Sequence, residues 1–287
     1  MIVIVGCIMV LGAVLAGFIW EGGHVGALIQ PAELLVIGGA ALGAMVTMSS
    51  KKVVTDLIRG LIQCLKGTPY NKKAYEDLLK GLYDLFRVAR RDGLIGLESH
   101  VSEPASSPLF AKYPRFSQNH HAVEFTCGAL SPVLDGSVKP DQLMEMLEAD
   151  IRLLESEHHA PLGVLSKTAD AMPGFGIVAA VLGIVITMGS IDGPAAEIGE
   201  KVGAALVGTF LGILISYGFL GPLVVKLESL GEAELGFLRT IATAVFGFTA
   251  KGLAPKVVIE QARRGVASEF RPSREELEDW LKQVDAS

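Results

Sequence analysis

Residues 171–191 read AMPGFGIVAAVLGIVITMGSI, a run that contains no aspartate, glutamate, lysine or arginine. A helix rises about 1.5 Å per residue, so a run of this length crosses the hydrocarbon core of a bilayer, which is roughly 30 Å thick. Further charge-free runs of comparable length lie at 1–20, 34–50 and 202–225. The four runs predict four transmembrane helices, and these spans hold no carboxylate to carry an ion. The chain therefore either moves no ion or depends on a partner for the carrier group.

The predicted fold class is all-α, because no stretch alternates apolar and polar residues over the length of a strand. We expect a polytopic membrane protein with four transmembrane helices and a helical cytoplasmic domain. Its predicted segments are a first transmembrane hairpin at 1–50, a cytoplasmic helical domain at 51–170, a second transmembrane hairpin at 171–225 and a cytoplasmic C-terminal helical segment at 226–287.

The basic residues are distributed unevenly along the chain, which predicts its orientation in the membrane. The loop at 21–33 contains none of the 25 lysines and arginines and the loop at 192–201 contains one, whereas 51–170 contains 15 and 226–287 contains nine. Basic residues concentrate on the cytoplasmic side of a membrane. We therefore expect both short loops outside the cell and both termini in the cytoplasm.

The remaining bulk properties narrow the class of protein further. The first run lacks the basic region and the cleavage site of a signal peptide, so we expect it to be retained as a span. A net charge of −6 gives no reason to expect a nucleic-acid partner. The three cysteines, Cys7, Cys64 and Cys127, are far apart, and no disulfide framework is implied.

Amphipathic helices are predicted between the two hairpins. Residues 71–92 carry apolar side chains at spacings of three and four, and Gly93 is expected to end this helix. The pair Pro140-Asp141 predicts the start of a second helix at 142–157.

The C-terminal part is also predicted to be helical. Residues 227–264 are expected to form helix with a break at Pro255. The run Ser273-Arg274-Glu275-Glu276 is a capping-box pattern, which predicts a short helix ending near Val284.

Small residues recur at intervals of four within the predicted spans, and such residues let membrane helices approach closely. The pairs are Gly39 and Gly43, Gly176 and Ala180, Ala179 and Gly183, and Gly208 and Gly212. Packing within one subunit and contact with other subunits explain these pairs equally well.

Two prolines fall at one predicted membrane depth. Pro173 opens the third charge-free run, where a first-turn proline costs little, and Pro222 lies inside the fourth, where it should kink the helix. Each alone is consistent with a purely structural role. The pair at one depth favours a hinge that couples the membrane to the cytoplasm.

Thr209 and Tyr217 are among the few polar side chains in the fourth run. A threonine hydroxyl in a span commonly bonds to its own helix backbone, which is the favoured interpretation. The alternative is a hydroxyl that lines a water or ion path.

A charged cluster is predicted at the end of the 71–92 helix and in the turn after it. Its members are Arg87, Arg90, Arg91, Asp92 and Glu98. Basic residues there suit the helix dipole, and a solvated face is the simpler explanation unless other information favours a contact surface.

No catalytic or metal-binding motif stands out, so we expect neither an enzyme, nor a cofactor, nor a metal site. The run 174–179 mimics a dinucleotide fingerprint but follows no strand. His120-His121 and His158-His159 are adjacent pairs, whose side chains diverge on a helix and chelate poorly.

The two charge-free runs of the second hairpin resemble a known family. The stretches ADAMPGFGIVAAV at 169–181 and VGTFLGILISYGF at 207–219 are similar to the third and fourth spans of the MotA family of flagellar motor stator proteins, in the MotA/TolQ/ExbB proton channel group. The loop GGHVGALIQPAE at 22–33 fits as well, and the resemblance covers nearly the whole chain.

This resemblance implies a stator subunit of the bacterial inner membrane. Several copies, a pentamer by resemblance, would surround a pair of MotB helices, and MotB would supply the membrane carboxylate. Proton flow through the complex would turn the flagellar rotor.

The family resemblance also implies roles for individual residues. Pro173 and Pro222 match the prolines that relay the ion-driven change, and Thr209 matches the channel-side threonine, with Tyr217 nearby. Ala180 occupies a position where sodium-driven relatives carry a hydroxyl, which implies a proton-driven motor.

Two charged residues are implied to face the rotor. Arg90 and Glu98 match the family's rotor-facing charges, which pair with opposite charges on the switch protein FliG. Exposed ion pairs contribute roughly 0–1 kcal/mol each, which suits a contact that forms and breaks at every step.

Three alternative functions stay open at this point. One is an energiser of envelope transport of the ExbB or TolQ type, which resembles a three-span protein. The others are a sodium-driven stator and a membrane scaffold that moves no ion.

Overall fold

The computed structural model describes residues 2–139, 141–189 and 191–286, and these residues form helices and connecting turns without a β-strand. The α-helices in chain order are α1 (Ile2–Trp20), α2 (Pro31–Met48), α3 (Lys51–Lys66), α4 (Lys72–Asp92), α5 (Glu98–Ser102), α6 (Pro108–Ala111), α7 (Pro114–Ser117), α8 (His120–Leu134), α9 (Leu143–Met188), α10 (Ala195–Ile215), α11 (Gly221–Thr249), α12 (Pro255–Gly265) and α13 (Arg274–Asp285). The all-α prediction is confirmed for this part of the chain.

The chain forms two compact units. The first, called here the membrane unit, takes the chain up to Gly67 together with Glu157–Leu230. The second unit takes Thr68–Ser156 and the chain from Gly231 onward. The four sequence segments remain a prediction about membrane and cytoplasmic parts.

The predicted spans are confirmed as helices in the described part of the chain. Four helical stretches there are long and apolar enough to cross a membrane: Ile2–Trp20, Val25–Met48, Leu143–Met188 and Ala195–Thr249. The first has no fully buried residue within the chain, so most of its apolar surface is available to lipid or to other subunits.

The third span is much longer than its charge-free run. Helix α9 has 46 residues and continues through Pro161 and Pro173, so the predicted helix at 142–157 and the predicted span form one element. Pro173 therefore lies inside a helix, and the interpretation that places it in a first turn is wrong. The predicted start signal falls partly on Pro140, which lies outside the described residues.

The second unit buries the apolar face that the sequence predicts for α4. Every apolar position of that face is buried: Tyr75, Leu78, Leu79, Leu82, Leu85, Phe86 and Ala89. Asn71 begins the helix by accepting bonds from the backbone of Lys73 and Ala74, both at 3.1 Å. Gly93 ends it with φ of 78°, a conformation that favours glycine. Phe86 stacks on Phe248 of α11 at 4.5 Å between ring centres.

The C-terminal predictions are also confirmed. Helix α11 ends at Thr249, and α12 begins with Pro255 at its first position. The Ser273 hydroxyl accepts the Glu276 backbone N–H at 3.0 Å, and the Glu276 carboxylate accepts the Ser273 backbone N–H at 2.8 Å. This reciprocal pair is the capping box, and it starts α13.

We expect Glu260→Gln to destabilise the second unit in a pH-dependent way. The Arg263 guanidinium, which bonds Glu260 at 2.7 and 2.8 Å, is the main reason that the pKa of Glu260 falls from 4.5 to about 2, with Arg264 adding to it against the effect of burial. A lowered folded-state pKa stabilises the fold above the ordinary pKa, and this contribution is lost as the pH falls from about 4.5 toward 2. The substitution should lower the free energy of unfolding by roughly 1–2 kcal/mol at neutral pH, after allowance for partial exposure, and by much less in acid.

Tryptophan fluorescence in the full chain measures this effect. Trp280 packs against the core of the second unit, so a Trp20→Phe background leaves it as the reporter of that unit. Glu269→Gln, at an exposed glutamate, is the matched control and should be neutral. An equal loss of stability at both pH values would contradict the explanation.

Candidate functional site

The backbone around Pro173 has an unusual hydrogen bond. Proline has no N–H, so the carbonyl four residues earlier, that of Ala169, cannot receive its normal helical bond. The Ser216 hydroxyl donates to this carbonyl at 2.7 Å, and Ser216 is only 2% exposed. A side chain from one membrane helix thus replaces the bond that Pro173 removes from another.

The same serine begins an irregular turn ahead of Pro222. Residues Ser216–Leu220 form a π-helical turn, in which the Gly221 N–H donates to the Ser216 carbonyl five residues earlier. Single π-turns inside helices are rare and occur frequently at functional sites. Pro222 follows as the second residue of α11. Ser216 therefore connects the surroundings of the two prolines. Its hydroxyl bonds the carbonyl that Pro173 leaves unpaired, and its π-turn comes directly before Gly221 and Pro222.

Ser216 is a residue that the sequence interpretation missed. A lone serine in an apolar span, beside a helix with an internal proline, is a detectable signal. Its partner could not be predicted because α9 was expected to begin near Pro173, where no carbonyl would be left unpaired.

Helices α9 and α10 touch through their small residues. A Cβ atom added at Gly176 would lie 2.8 Å from the Gly208 carbonyl oxygen, and one added at Gly212 would lie 2.6 Å from the Met172 carbonyl oxygen. Both distances are too short for real side chains, so the backbones are in direct contact. For these pairs the intramolecular interpretation holds. Gly39 and Gly43 differ, because an added Cβ there would meet nothing within 4 Å.

The predicted pathway residues divide into two groups in the structure. Thr209 lies at the contact between α9 and α10, since a Cβ added at Gly176 would lie 3.3 Å from the Thr209 Cα. On α9, Ala180 is 8% exposed and Pro173 is half-buried. Tyr217 is separate, with 71% of its surface exposed. Pro222 is also exposed.

The Thr209 hydroxyl departs from the favoured interpretation. Other threonines of the membrane unit bond to their own helix, as Thr187 does to the Gly183 carbonyl at 2.8 Å. Thr209 makes no side-chain hydrogen bond with any residue that the structure describes. Its hydroxyl is therefore available to water, to an ion or to a partner.

The expectation that the spans hold no carboxylate is wrong. Helix α2 begins at Pro31, three residues before the charge-free run, and so includes Glu33 in its first turn. Proline at the first position and an acidic residue in the first turn both favour a helix start, which explains the extension. Glu33 is buried, with 8% exposure.

The charged cluster after α4 contains paired and unpaired members. Arg87 bonds to the Val284 carbonyl at 2.6 Å and pairs with Asp285 at 3.6 Å, so it has a structural role. Arg91 pairs with Asp92 at 2.8 Å.

Arg90 and Glu98 are the members of the cluster that remain available. Both are exposed, and neither forms an ion pair with a residue in the described ranges. Arg90 lies in the last turn of α4 and Glu98 begins α5. These two charges are therefore exposed and have no ion-pair partner among the described residues that an outside partner would have to displace.

The described histidines are not grouped with enough other potential ligands to hold a metal ion. His121 bonds to the Glu234 carboxylate at 2.6 Å, which raises the pKa of His121. Among the residues that the structure covers, no three His, Cys, Asp or Glu side chains are grouped as metal ligands.

Two family models match the chain. Residues 4–93 match "Motility protein A N-terminal", and residues 117–239 match "MotA/TolQ/ExbB proton channel family". The chain is 35% identical over 284 residues to Motility protein A of Salmonella typhimurium, covering 99% of this chain and 96% of that protein. Chemotaxis protein LafT of Vibrio parahaemolyticus is 34% identical over 280 residues, covering 98% of each.

Solved structures share the fold. The structure of C. jejuni MotAB matches with a TM-score of 0.76 at 24% identity, covering 95% of this chain and 98% of that one. The flagellar MotAB stator complex from Bacillus subtilis matches with a TM-score of 0.73 at 22% identity, covering 96% and 98%. The chain has four candidate membrane spans and is similar to Motility protein A over nearly its whole length. The chain therefore belongs to the motility protein A family.

Proposed function

We propose that this chain is a stator subunit of the flagellar motor, which conducts protons across the inner membrane with a MotB-type partner and converts the proton-motive force into torque. The observation that carries the proposal is the near-complete match to Motility protein A at 35% identity. The contact of α9 with α10, and the Ser216 bond to the carbonyl that Pro173 leaves unpaired, provide a physical basis for coupling ion flow to movement of the helices.

The partner supplies the ion carrier in this proposal. Pro173 and Ala180 lie on α9 and Thr209 lies on α10, and the runs 171–189 and 202–225 contain no ionisable carboxylate. An ion path along these helices therefore needs a carboxylate from elsewhere. A MotB-type helix meets that need, and in this proposal the Thr209 hydroxyl, which has no hydrogen-bond partner among the described residues, contacts the ion or its water.

Ala180 favours the proton over sodium. A hard cation such as sodium needs several oxygen ligands in place of its water shell, whereas a proton moves between hydrogen-bonded groups. A methyl group at position 180 supplies no oxygen.

In this proposal the chain assembles into a homo-oligomer, a pentamer by resemblance, and the apolar helix faces that are not covered within the chain support such an assembly. Helix α1 has no fully buried residue within the chain, and a Cβ added at Gly39 or Gly43 would meet nothing within 4 Å. Such faces pack against other subunits or lipid. Both termini lie in the cytoplasm in this proposal, which places Arg90 and Glu98 where the rotor protein FliG is found.

Coupling at each protonation step runs through Pro173 in this mechanism. Protonation of the partner's carboxyl removes a charge beside α9 and α10, so the helices settle into a new arrangement. At Pro173 helix α9 lacks one backbone hydrogen bond, and the Ser216 bond to the Ala169 carbonyl stabilises one of the two arrangements. Motion there reaches the rest of α9, which is continuous from Leu143 to Met188.

Proton flux into vesicles tests the conduction step. The chain and a MotB-type partner are reconstituted together, and a proton gradient is applied with and without sodium. We expect flux above the partner-alone background that does not depend on sodium. Flux no greater than the background would favour a scaffold.

A reporter fusion tests the topology. A reporter placed within 21–33 should face the outside of the cell, whereas a cytoplasmic signal would favour the envelope energisers.

We expect Arg90→Glu to remove most of the swimming while the amount of protein in the membrane stays normal. Removing an exposed charge costs roughly 0–1 kcal/mol, so Arg90→Ala should be mild, whereas reversal adds repulsion at every step. Combination with Glu98→Lys should also impair rotation. Swimming speed and membrane immunoblots measure the two effects.

Arg91→Glu is the matched control, because Arg91 is equally exposed but is paired locally with Asp92. It should impair swimming less than Arg90→Glu. Loss of the Arg90→Glu protein from the membrane would indicate a folding role instead.

A further inference from the structure

Glu33 is a buried carboxyl that the mechanism above does not use. It is the third residue of α2, and 92% of its surface is buried within the membrane unit. Its Oε2 atom is inaccessible and has no hydrogen-bond partner among the described residues. A buried charge without a partner costs several kcal/mol, so such carboxyls are rare and are normally paired.

The carboxyl points away from the place where a helix-capping group would be. A glutamate at the third helical position commonly accepts the backbone N–H of the capping residue, here Gln30. No such bond from Gln30 to Glu33 is present in the described chain. The side chain instead lies where α2 meets α9 and α10. A capping role therefore does not explain its burial.

Two glycines make room for the carboxyl. A Cβ atom added at Gly208 of α10 would lie 2.5 Å from Glu33 Oε2, and one added at Gly183 of α9 would lie 3.4 Å from Oε1. Any side chain at 208 would collide with the carboxyl. The Ala205 side chain closes the same space, since a Cβ at Gly183 would lie 2.8 Å from its Cβ. The result is a small apolar cradle that fits one carboxyl group.

No charged side chain of the surrounding helices compensates Glu33. Within α2 and within 171–188 of α9 there is no other acidic, basic or histidine residue. Helix α10 carries Glu197, Glu200 and Lys201 in its first two turns, and Lys201 pairs with Glu197 at 2.9 Å. His24, ahead of the short turn that precedes α2, is exposed. The described residues of these helices therefore leave the carboxyl without a compensating charge.

We propose that Glu33 is a proton-binding site of the membrane unit, distinct from the carboxylate of the partner, on the outer side of the ion path. A proton adds to Oε2 as an O–H bond and leaves again to water. The proton is the ligand that fits, because the glycine and alanine walls add no side-chain oxygen to the carboxyl, whereas sodium requires several oxygen ligands. The location on the ion path rests on the proposed function, whereas proton binding itself does not.

The direct test is an infrared titration of the full chain in lipid vesicles over a range of pH, with no partner present. The probe is the proton, and the signal is the carbonyl band of a protonated carboxyl. We expect wild type to show a buried carboxyl band that disappears in Glu33→Gln and remains in Glu197→Gln, the exposed control on α10. An identical set of bands in wild type and Glu33→Gln would overturn the proposal.

A second variant covers the case in which Glu33→Gln fails to fold. Gly208→Ala places a methyl group against Oε2, so the band should shift in position or in midpoint pH. Gly203→Ala, on the same helix with nothing within 4 Å of the added atom, should leave it unchanged. A band that Gly208→Ala does not shift would count against the site.

Proton flux in the complex with the MotB-type partner tests the location on the path. Glu33→Gln should reduce flux several-fold relative to Glu197→Gln. Unchanged flux in Glu33→Gln would remove the site from the path. Because the infrared titration needs neither partner nor rotor, failure of this site and failure of the stator function give different results.

Discussion

Pro173→Ala is expected to stop rotation while the protein still inserts and assembles. Alanine restores an N–H at position 173, which can donate to the Ala169 carbonyl and so displace the Ser216 hydroxyl. The helix then becomes regular at the point where the proposed mechanism requires it to change shape. Torque on tethered cells and the amount of complex in the membrane measure the two properties separately.

Pro161→Ala is the matched control for this experiment. Pro161 is the other proline inside α9, and replacing it should leave torque near the wild-type level. Full motility of the Pro173→Ala strain would contradict the proposed hinge role of Pro173.

The same geometry predicts a coupling between Pro173 and Ser216. Ser216→Ala leaves the Ala169 carbonyl unpaired in an apolar environment, which should cost roughly 1–3 kcal/mol of stability. In the Pro173→Ala background that carbonyl has a new donor, so adding Ser216→Ala should cost much less. Thermal unfolding of the four variants in detergent gives the coupling energy. Additive effects would mean that the serine has no special relation to the proline.

The second large effect is expected at the contact of α9 with α10. In Gly212→Ala the new Cβ would lie 2.6 Å from the Met172 carbonyl oxygen and 3.0 Å from the Gly176 Cα. These are backbone atoms, so the helices must separate, at a cost of about 1–3 kcal/mol. Alanine's better helix propensity returns only about 0.5–1 kcal/mol. We expect less folded protein in the membrane and a lower unfolding temperature.

Gly43→Ala provides the comparison. Position 43 has nothing within 4 Å of the added atom, so the monomer should gain slightly from the higher helix propensity. A loss of complex without a loss of monomer stability in Gly43→Ala would identify this face as a contact between subunits. Equal behaviour of the two variants would contradict the assignment of Gly212 to a tight helix contact.

Much of this fold follows from patterns that local physics determines. Charge-free runs locate the spans, and the buried face of α4 and the capping box of α13 match their sequence signals residue by residue. Two features depended instead on contacts between distant residues. The carbonyl that Pro173 leaves unpaired in α9 receives its bond from Ser216, and the buried Glu33 carboxyl lies against glycines at 183 and 208. Neither partner can be read from the segment in which the residue lies.

The site shows the same division. Among the predicted residues, Thr209 lies at the contact of α9 with α10 and Ala180 is buried on α9, while Tyr217 lies exposed. Their roles in conduction remain predictions. The search for charge-free runs also missed Glu33. Helix α2 begins at Pro31, because proline and an acidic residue both favour a first turn, and so it extends beyond the charge-free run.

The central claim is that this chain powers rotation with protons, and complementation of a non-motile strain tests it most directly. The strain lacks its own stator subunit and expresses this chain with its cognate MotB, in media with and without sodium. We expect swimming that persists without sodium and stops when the proton gradient is collapsed. Swimming that requires sodium would contradict the ion assignment, and an absence of swimming with the protein confirmed in the membrane would contradict the stator function itself.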